Sequence, residues 1–145
     1  MKVVVMGCGR VGARVASVLD HNGHDVAVID THSRAFRRLS ADFSGQTIIG
    51  TGIDEDTLRS AGIDSAGAFV AATNGDNRNI MASQVVQKIF GVPKVICRIY
   101  DPVREETYRR LGLSTVCPTT LISAQILDQV MSAMDDTPVS RSAEG

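Results

Sequence analysis

The feature that most constrains this chain is the stretch from Met1 to Asp30, and within it the turn Gly7-Cys8-Gly9-Arg10-Val11-Gly12. An apolar run, Val3 to Met6, leads directly into this G-x-G-x-x-G pattern. Ala13 to Asn22 then places Val15, Val18 and Leu19 at helical spacing. After Asn22-Gly23 a second apolar run, Val26 to Ile29, ends on Asp30. The order is strand, glycine turn, helix, strand, acid, with the acid 18 residues past the last glycine. A dinucleotide fingerprint has this order and a gap of roughly 20 residues. A motif that is weak alone becomes, in this context, the signature of a parallel α/β fold.

Each position has a chemical reason. Gly7 can take the backbone angles of a tight turn, Gly9 has no side chain to block a phosphate, and Gly12 lets the helix pack closely. With Cys8, Arg10 and Val11 they form a candidate phosphate cradle on a helix N-terminus. There, free N–H groups and about half a positive charge meet an anion. Asp30, followed by Thr31, can accept hydrogen bonds from both ribose hydroxyls of an adenosine. Its charge disfavours a 2′-phosphate, and hence NADP. The alternative is that the glycines only shape a turn and Asp30 only caps the next helix. On the binding reading, Asp30→Ala weakens every nucleotide and spares the fold.

The alternation continues downstream. Ser33 can cap a short helix with Phe36 and Leu39 on one face. Arg34, Arg37 and Arg38 lie on others, either solvated or, for Arg34, reaching a ligand beside Asp30. Thr47 to Gly50 reads as a third strand, and Asp54-Glu55-Asp56, with Leu58 and Ala61 before Gly62, as a short helix with acids at the positive end of its dipole. Ala68 to Ala72 is small and apolar, as expected of a central strand covered on both faces. The polar loop Thr73 to Asn79 follows at that strand's carboxyl end, where open α/β sheets bind ligands, so Ala72, Thr73 and Asn74 are candidate contacts. Asp76 is the expected cap of a helix to Phe90 whose apolar face is Met81, Val85 and Ile89 beside Ala82 and Val86. Val95 to Ile99 is a fifth strand carrying Arg98. An unpaired buried charge is costly, so Arg98 either answers a phosphate across the crevice or pairs with a neighbouring acid. Asp101-Pro102 starts a helix to Leu111, and Thr115 to Cys117 is a sixth strand.

Six strands alternating with helices imply a Rossmann-like, doubly wound parallel sheet with helices on both faces. In the last helix, Thr119 to Met134, the residues Ile122, Ile126, Leu127, Val130, Met131, Ala133 and Met134 cover an arc of roughly 180°, whereas a helix lying on its own sheet needs only about 100°. The excess points to a second partner, a subunit interface or a further domain. Residues 1–134 read as one domain and 135–145 as a polar tail or linker.

The whole chain sets further limits. Its 145 residues suffice for one domain with a real core. With a net charge of −1 and the 15 basic residues spread along the chain, no nucleic-acid partner is expected. No apolar stretch is long enough for membrane insertion, and the N-terminus reads as a strand, not a signal peptide, so a cytoplasmic location is expected. Cys8, Cys97 and Cys117 form no C-x-x-C pair, which fits a reducing compartment. Cys8 is either a redox-active thiol at a helix N-terminus or a small residue in a tight turn. His21 and His24 lack a third ligand, so no metal is expected.

With this order laid out, the sequence resembles the N-terminal domain of the RCK/KTN family, cytoplasmic regulators of potassium channels and of Trk/Ktr potassium transporters, and most closely their TrkA-type bacterial members. The resemblance covers about Met1 to Met134. It rests on the run Val3 to Gly12, on His24 to Asp30, on the Asp54 to Gly62 helix, on Ala71-Ala72-Thr73 and on Val95-Ile96-Cys97-Arg98. It implies NAD(H) or an adenine nucleotide (ATP, ADP or AMP) bound as a signal. Phosphates would lie at Gly7 to Gly12, ribose at Asp30, adenine near Thr51, Gly52 and Ile53, and further contacts at Thr73 and Asn74. It also implies a homodimer or higher ring through the last helix, with Arg10 reaching a terminal phosphate across a dimer interface. The partner would be a membrane potassium-transport subunit, which places the protein at the inner face of the cell membrane. Relatives often have Gly-Asp-Ala-Thr where this chain has Gly50-Thr51-Gly52-Ile53, and they usually continue into a smaller C-terminal domain.

The expected function is therefore regulatory and not enzymatic. The competing reading, the NAD domain of a dehydrogenase, needs a substrate lobe and an acid or base beside the nicotinamide, and the sequence offers neither. A third reading is a purely structural dimerisation module.

Overall fold

In β1 (Lys2–Met6) the side chains alternate between two apolar layers, and this alternation organises the molecule. The computed structural model describes residues 1–136. Val3 and Val5 join Val26 and Val28 on one face, under Ala13 and Ala16 of α1 (Arg10–His21). Val4 and Met6 join Ala27 and Ile29 on the other, against Leu58 of α2 (Glu55–Ser60) and Ala82 and Val86 of α3 (Asp76–Lys88). A strand covered on both faces must be apolar at every position, which β1 is from Val3 onward.

The remaining strands are β2 (Asp25–Asp30), β3 (Gln46–Ile49), β4 (Ala68–Ala71), β5 (Lys94–Arg98) and β6 (Ser114–Val116). All pair in parallel, in the order β3-β2-β1-β4-β5-β6. The chain runs outward from β1 to β3 and then returns to place β4 on the other side of β1. The topological switch point therefore lies between the carboxyl ends of β1 and β4, where such sheets bind ligands. The doubly wound six-stranded fold is as expected, and α4 (Pro102–Arg110) and α5 (Pro118–Asp136) complete it.

Several local expectations are corrected. The α1 helix starts at Arg10, and its buried residues are Gly12, Ala13 and Ala16, with Val18 45% exposed. Small residues face the sheet here because the glycine turn brings the helix in close. Ser33–Arg38 is a 3₁₀ helix without a side-chain cap, so Ser33 does not have the expected role. In α3 the inward residues are Asn79, Ile80, Ala82, Ser83 and Val86, while Met81 and Ile89 are exposed. Ile80 instead fills a third cluster with Cys97, Ile99 and Leu113. Asp76 does not cap α3: its carboxylate accepts the backbone N–H groups of Tyr100 at 2.8 Å and Asp101 at 3.2 Å. Asp54 and Asp101 do cap α2 and α4, accepting from the N–H of Asp56 and Val103.

The largest departure is α5. Its expected apolar arc is present, but no part of it lies on the sheet, for none of its residues is buried. The helix is tied at its first turn, where the Thr119 hydroxyl donates to the Tyr100 carbonyl at 2.7 Å. Beyond that, Ile122, Ile126, Leu127, Met131 and Met134 are all more than half exposed. The helix runs to Asp136, and residues 137–145 of the polar tail lie outside the described residues.

Candidate functional site

The turn after β1 is built as the glycines require. Gly7 has a φ of 101°, and its N–H donates to the Ile29 carbonyl at 2.8 Å, closing the turn onto β2. A Cβ on Gly7 would lie 2.8 Å from the Thr73 nitrogen, so the β4–α3 loop rests directly on the turn. On Gly9 a Cβ would meet nothing within 4 Å: its missing side chain leaves the crevice open. On Gly12 a Cβ would overlap the carbonyl oxygen of Gly7. The glycine expected to bring helix and sheet together thus also lets the turn fold back on the helix it starts.

Around this turn a crevice of about 1230 Å³ opens at the switch point. It is lined by Gly7, Cys8, Gly9, Arg10 and Val11 from the turn, and by Asp30 at the end of β2 and Thr31 just past it. Gly50, Thr51 and Gly52 line it from the β3–α2 loop, and Ala72, Thr73 and Asn74 from the end of β4, with Arg98 facing from β5. Gly12 lies buried behind the turn, and Ile53 is not on the lining: it is 40% exposed in the turn before α2. The remaining expected site residues are brought together from five separate segments.

The crevice is more basic than the sequence suggests, where only Arg10, Arg98 and, as an alternative, Arg34 read as ligand contacts. Six of the chain's 15 basic residues line it, Arg10, Arg34, Arg37, Arg38, Arg78 and Arg98, against one acid, Asp30. Spread along the sequence, they converge because the Ser33–Arg38 segment folds over the glycine turn. The Arg38 guanidinium donates to the Cys8 carbonyl at 3.4 Å. Among the described residues none of the six forms an ion pair. A cleft lined by one sign of charge attracts counter-ions and holds them.

Asp30 holds a different position from a free ribose acceptor. One carboxylate oxygen accepts the Cys8 N–H at 2.8 Å and the other accepts the His32 N–H at 2.9 Å. It therefore braces the glycine turn while keeping 17% of its side chain open to the crevice. Each carboxylate oxygen has a second lone pair, so bracing and ligand contact are compatible. Cys8 itself is fully buried, with its thiol donating to the Ala35 carbonyl at 3.3 Å. Burial first, and then the charge of Asp30, push that thiol up to about 11, against the opposing Arg38. A buried protonated thiol is a poor nucleophile, which favours the small-residue reading over the redox one.

On the far wall, Arg98 has no acidic partner among the described residues. Its Nη1 donates to the Ala72 carbonyl at 3.4 Å, its guanidinium carbon lies 4.4 Å from the centre of the Tyr100 ring, and its buried Nε has no hydrogen-bond partner among the described residues. Thr73 lines the crevice, but its hydroxyl is turned to Asn79, and the Asn74 side chain accepts from Arg78. Among the described residues no cluster of three metal-ligating side chains occurs, and no helix is long and apolar enough to cross a membrane.

Residues 3–119 match the TrkA-N domain. The chain is 50% identical over 131 residues to the Trk system potassium uptake protein TrkA of Streptomyces coelicolor, covering 90% of this chain and 59% of that one. It is 33% identical over 132 residues to a TrkA homologue of Methanothermobacter thermautotrophicus, covering 91% and 61%. It thus spans about three-fifths of the length of these relatives. In fold it is similar to the Kef CTD of Shewanella denitrificans in its AMP-bound form, with a TM-score of 0.80 at 20% identity over 94% of this chain and 84% of that one. It is also similar to GsuK bound to ADP, with a TM-score of 0.73 at 22% identity over 92% and 34%. Because the family match spans most of the chain, the protein belongs to the TrkA-N domain family.

Proposed function

We propose that this domain is the nucleotide sensor of a Trk-type potassium-uptake system. It would bind NAD(H) or an adenine nucleotide (ATP, ADP or AMP) reversibly in the crevice, without chemistry, on the cytoplasmic side of the membrane. The observation that carries this reading is the set of six arginines, none in an ion pair among the described residues, around a glycine turn on a helix N-terminus. That arrangement suits several phosphate oxygens at once. The AMP- and ADP-bound states of two proteins of the same fold support the ligand class. On this reading phosphates lie on Gly7 to Gly12 and against Arg98, ribose at Asp30, and adenine toward Thr51 and Gly52. Sensing requires only that the ligand bind two arrangements of the assembly unequally, by a few kcal/mol at most.

The test is thermal unfolding with ADP, ATP, AMP and NADH at millimolar concentration. A ligand at a hundredfold excess over its Kd stabilises by about 2.7 kcal/mol, which is a rise of several degrees in Tm. If all four leave Tm unchanged, the sensor reading fails.

The second partner is a further copy of this chain, docked on the exposed apolar arc of α5. A contiguous apolar surface of this extent marks an interface. Size-exclusion chromatography with light scattering is expected to give a dimer or larger. Ile126→Asp is expected to give a folded monomer, because Ile126 is 56% exposed and contributes nothing to the core. A wild-type chain that stays monomeric at high micromolar concentration overturns this assembly.

A further inference from the structure

Two polar residues that line none of the crevice are the best-connected side chains beside it. Asn79 is fully buried in the first turn of α3, and all four of its hydrogen-bonding positions are used. Its Oδ1 accepts from the Thr73 N–H at 3.0 Å and the Thr73 hydroxyl at 2.6 Å, while its Nδ2 donates to the carbonyls of Thr73 and Arg98, each at 2.9 Å. In the same turn, Asp76 holds the N–H groups of Tyr100 and Asp101. The first turn of α3 thus fastens the loop after β4 to the loop after β5. The first of these loops lies against Gly7, as the 2.8 Å approach of a Cβ there to the Thr73 nitrogen records. The second follows Arg98, the last residue of β5, and carries the Tyr100 ring on which the Arg98 guanidinium lies.

We propose that Asn79 and Asp76 are positioning residues for ligand binding. They hold Arg98 at a fixed distance across the crevice from the glycine turn, so that phosphate affinity depends on two side chains that never touch the ligand. A saturated buried amide is the means by which a low-dielectric site fixes one geometry: any displaced loop would leave an unpaired donor or acceptor. Arg98 needs such support, since its own side-chain bond to Ala72 is long, at 3.4 Å, and its Nε is unpaired among the described residues. The inference rests on the nucleotide reading above and adds which residues outside the crevice set its strength.

The experiment is a double-mutant cycle on affinity, with ADP and NADH titrated calorimetrically into the folded domain well below Tm. Asn79→Ala is expected to weaken binding at least about tenfold, on the order of the energy of one well-placed charged hydrogen bond. Arg98→Ala does the same, and the double variant is no weaker than Arg98→Ala alone. Asp76→Asn keeps one acceptor oxygen at a partly exposed site and folds even where Asn79→Ala does not. It is expected to weaken binding severalfold in the wild-type background and not at all on Arg98→Ala. A merely structural role lowers Tm but gives additive or absent affinity effects, and either result overturns the proposal. Wild-type protein that binds neither nucleotide overturns the sensor reading and this inference with it. Wild-type protein that binds, alongside Asn79→Ala and Asp76→Asn proteins that bind equally well, overturns this inference alone.

Discussion

Replacing Gly12 by alanine is expected to cost the fold about 3 kcal/mol, whereas replacing Gly9 by alanine leaves stability intact and removes nucleotide affinity alone. The two glycines sit three residues apart in one motif but face different neighbours. A methyl group at Gly12 overlaps the carbonyl oxygen of Gly7, a backbone atom of a turn already fixed by the bond from Gly7 to Ile29. Neither side of that contact is a flexible side chain, so the turn must open and α1 must shift from the sheet. The expected fall in Tm is on the order of 10 °C, read by circular dichroism. Binding is lost as a consequence. Gly9 has a φ of −78°, which alanine adopts freely, and its Cβ would meet nothing within 4 Å. The methyl group there occupies the approach to the α1 N-terminus that a phosphate would use, so calorimetry with ADP is expected to show no binding to a protein of normal Tm. A Gly9→Ala protein that binds ADP as tightly as wild type would remove the phosphates from this turn.

The difference between these glycines marks where the sequence stopped being informative. The fingerprint order, from Val3 through the turn to Asp30, required β1, α1 and β2 in a parallel sheet, and the switch point followed from it. Periodicity located the apolar arc of α5, because that face lies on a helix read at constant pitch. What periodicity does not carry is which way a helix is rotated when small residues, not large ones, face the sheet. Val18 on α1 and Met81 and Ile89 on α3 therefore read as inward although they point to solvent. Asn79 is illegible for the opposite reason: a polar residue on a helix reads as solvated, and only the fold gives it four hydrogen bonds, three to Thr73 after β4 and one to Arg98 at the end of β5. Half of the arginine cluster is equally hidden: Arg10 and Arg98 read as phosphate contacts and Arg34 as an alternative one, but Arg37, Arg38 and Arg78 join them only because their separate segments meet at the switch point. Asp76, placed where a cap belongs, spends its carboxylate on the next loop instead.

Asp30→Ala is expected to weaken the fold as well as the ligand complex, contrary to the expectation that it spares the fold. Its carboxylate holds the N–H of Cys8 inside the glycine turn and the N–H of His32 just beyond β2, at 2.8 and 2.9 Å. Hydrogen bonds to charged groups contribute about 1.5–3 kcal/mol each, and water can replace part of the loss at a partly open site, so a net cost on the order of 2–3 kcal/mol is expected. Asp30→Asn is the sharper variant. It keeps the shape and one acceptor oxygen, so the turn survives at a smaller cost, but it removes the one negative charge among the crevice-lining residues. Ligands that carry only phosphate then gain attraction from the six arginines, while ligands anchored through ribose hydroxyls lose a charged acceptor. Inorganic pyrophosphate is therefore expected to bind Asp30→Asn more tightly than wild type, and ADP about tenfold more weakly, the loss of about 1.4 kcal/mol. The opposite signs separate the two roles of one side chain. If both pyrophosphate and ADP bind Asp30→Asn more tightly, Asp30 acts on the crevice only through its charge and the ribose is held elsewhere; if both bind more weakly, Asp30 acts chiefly by bracing the turn.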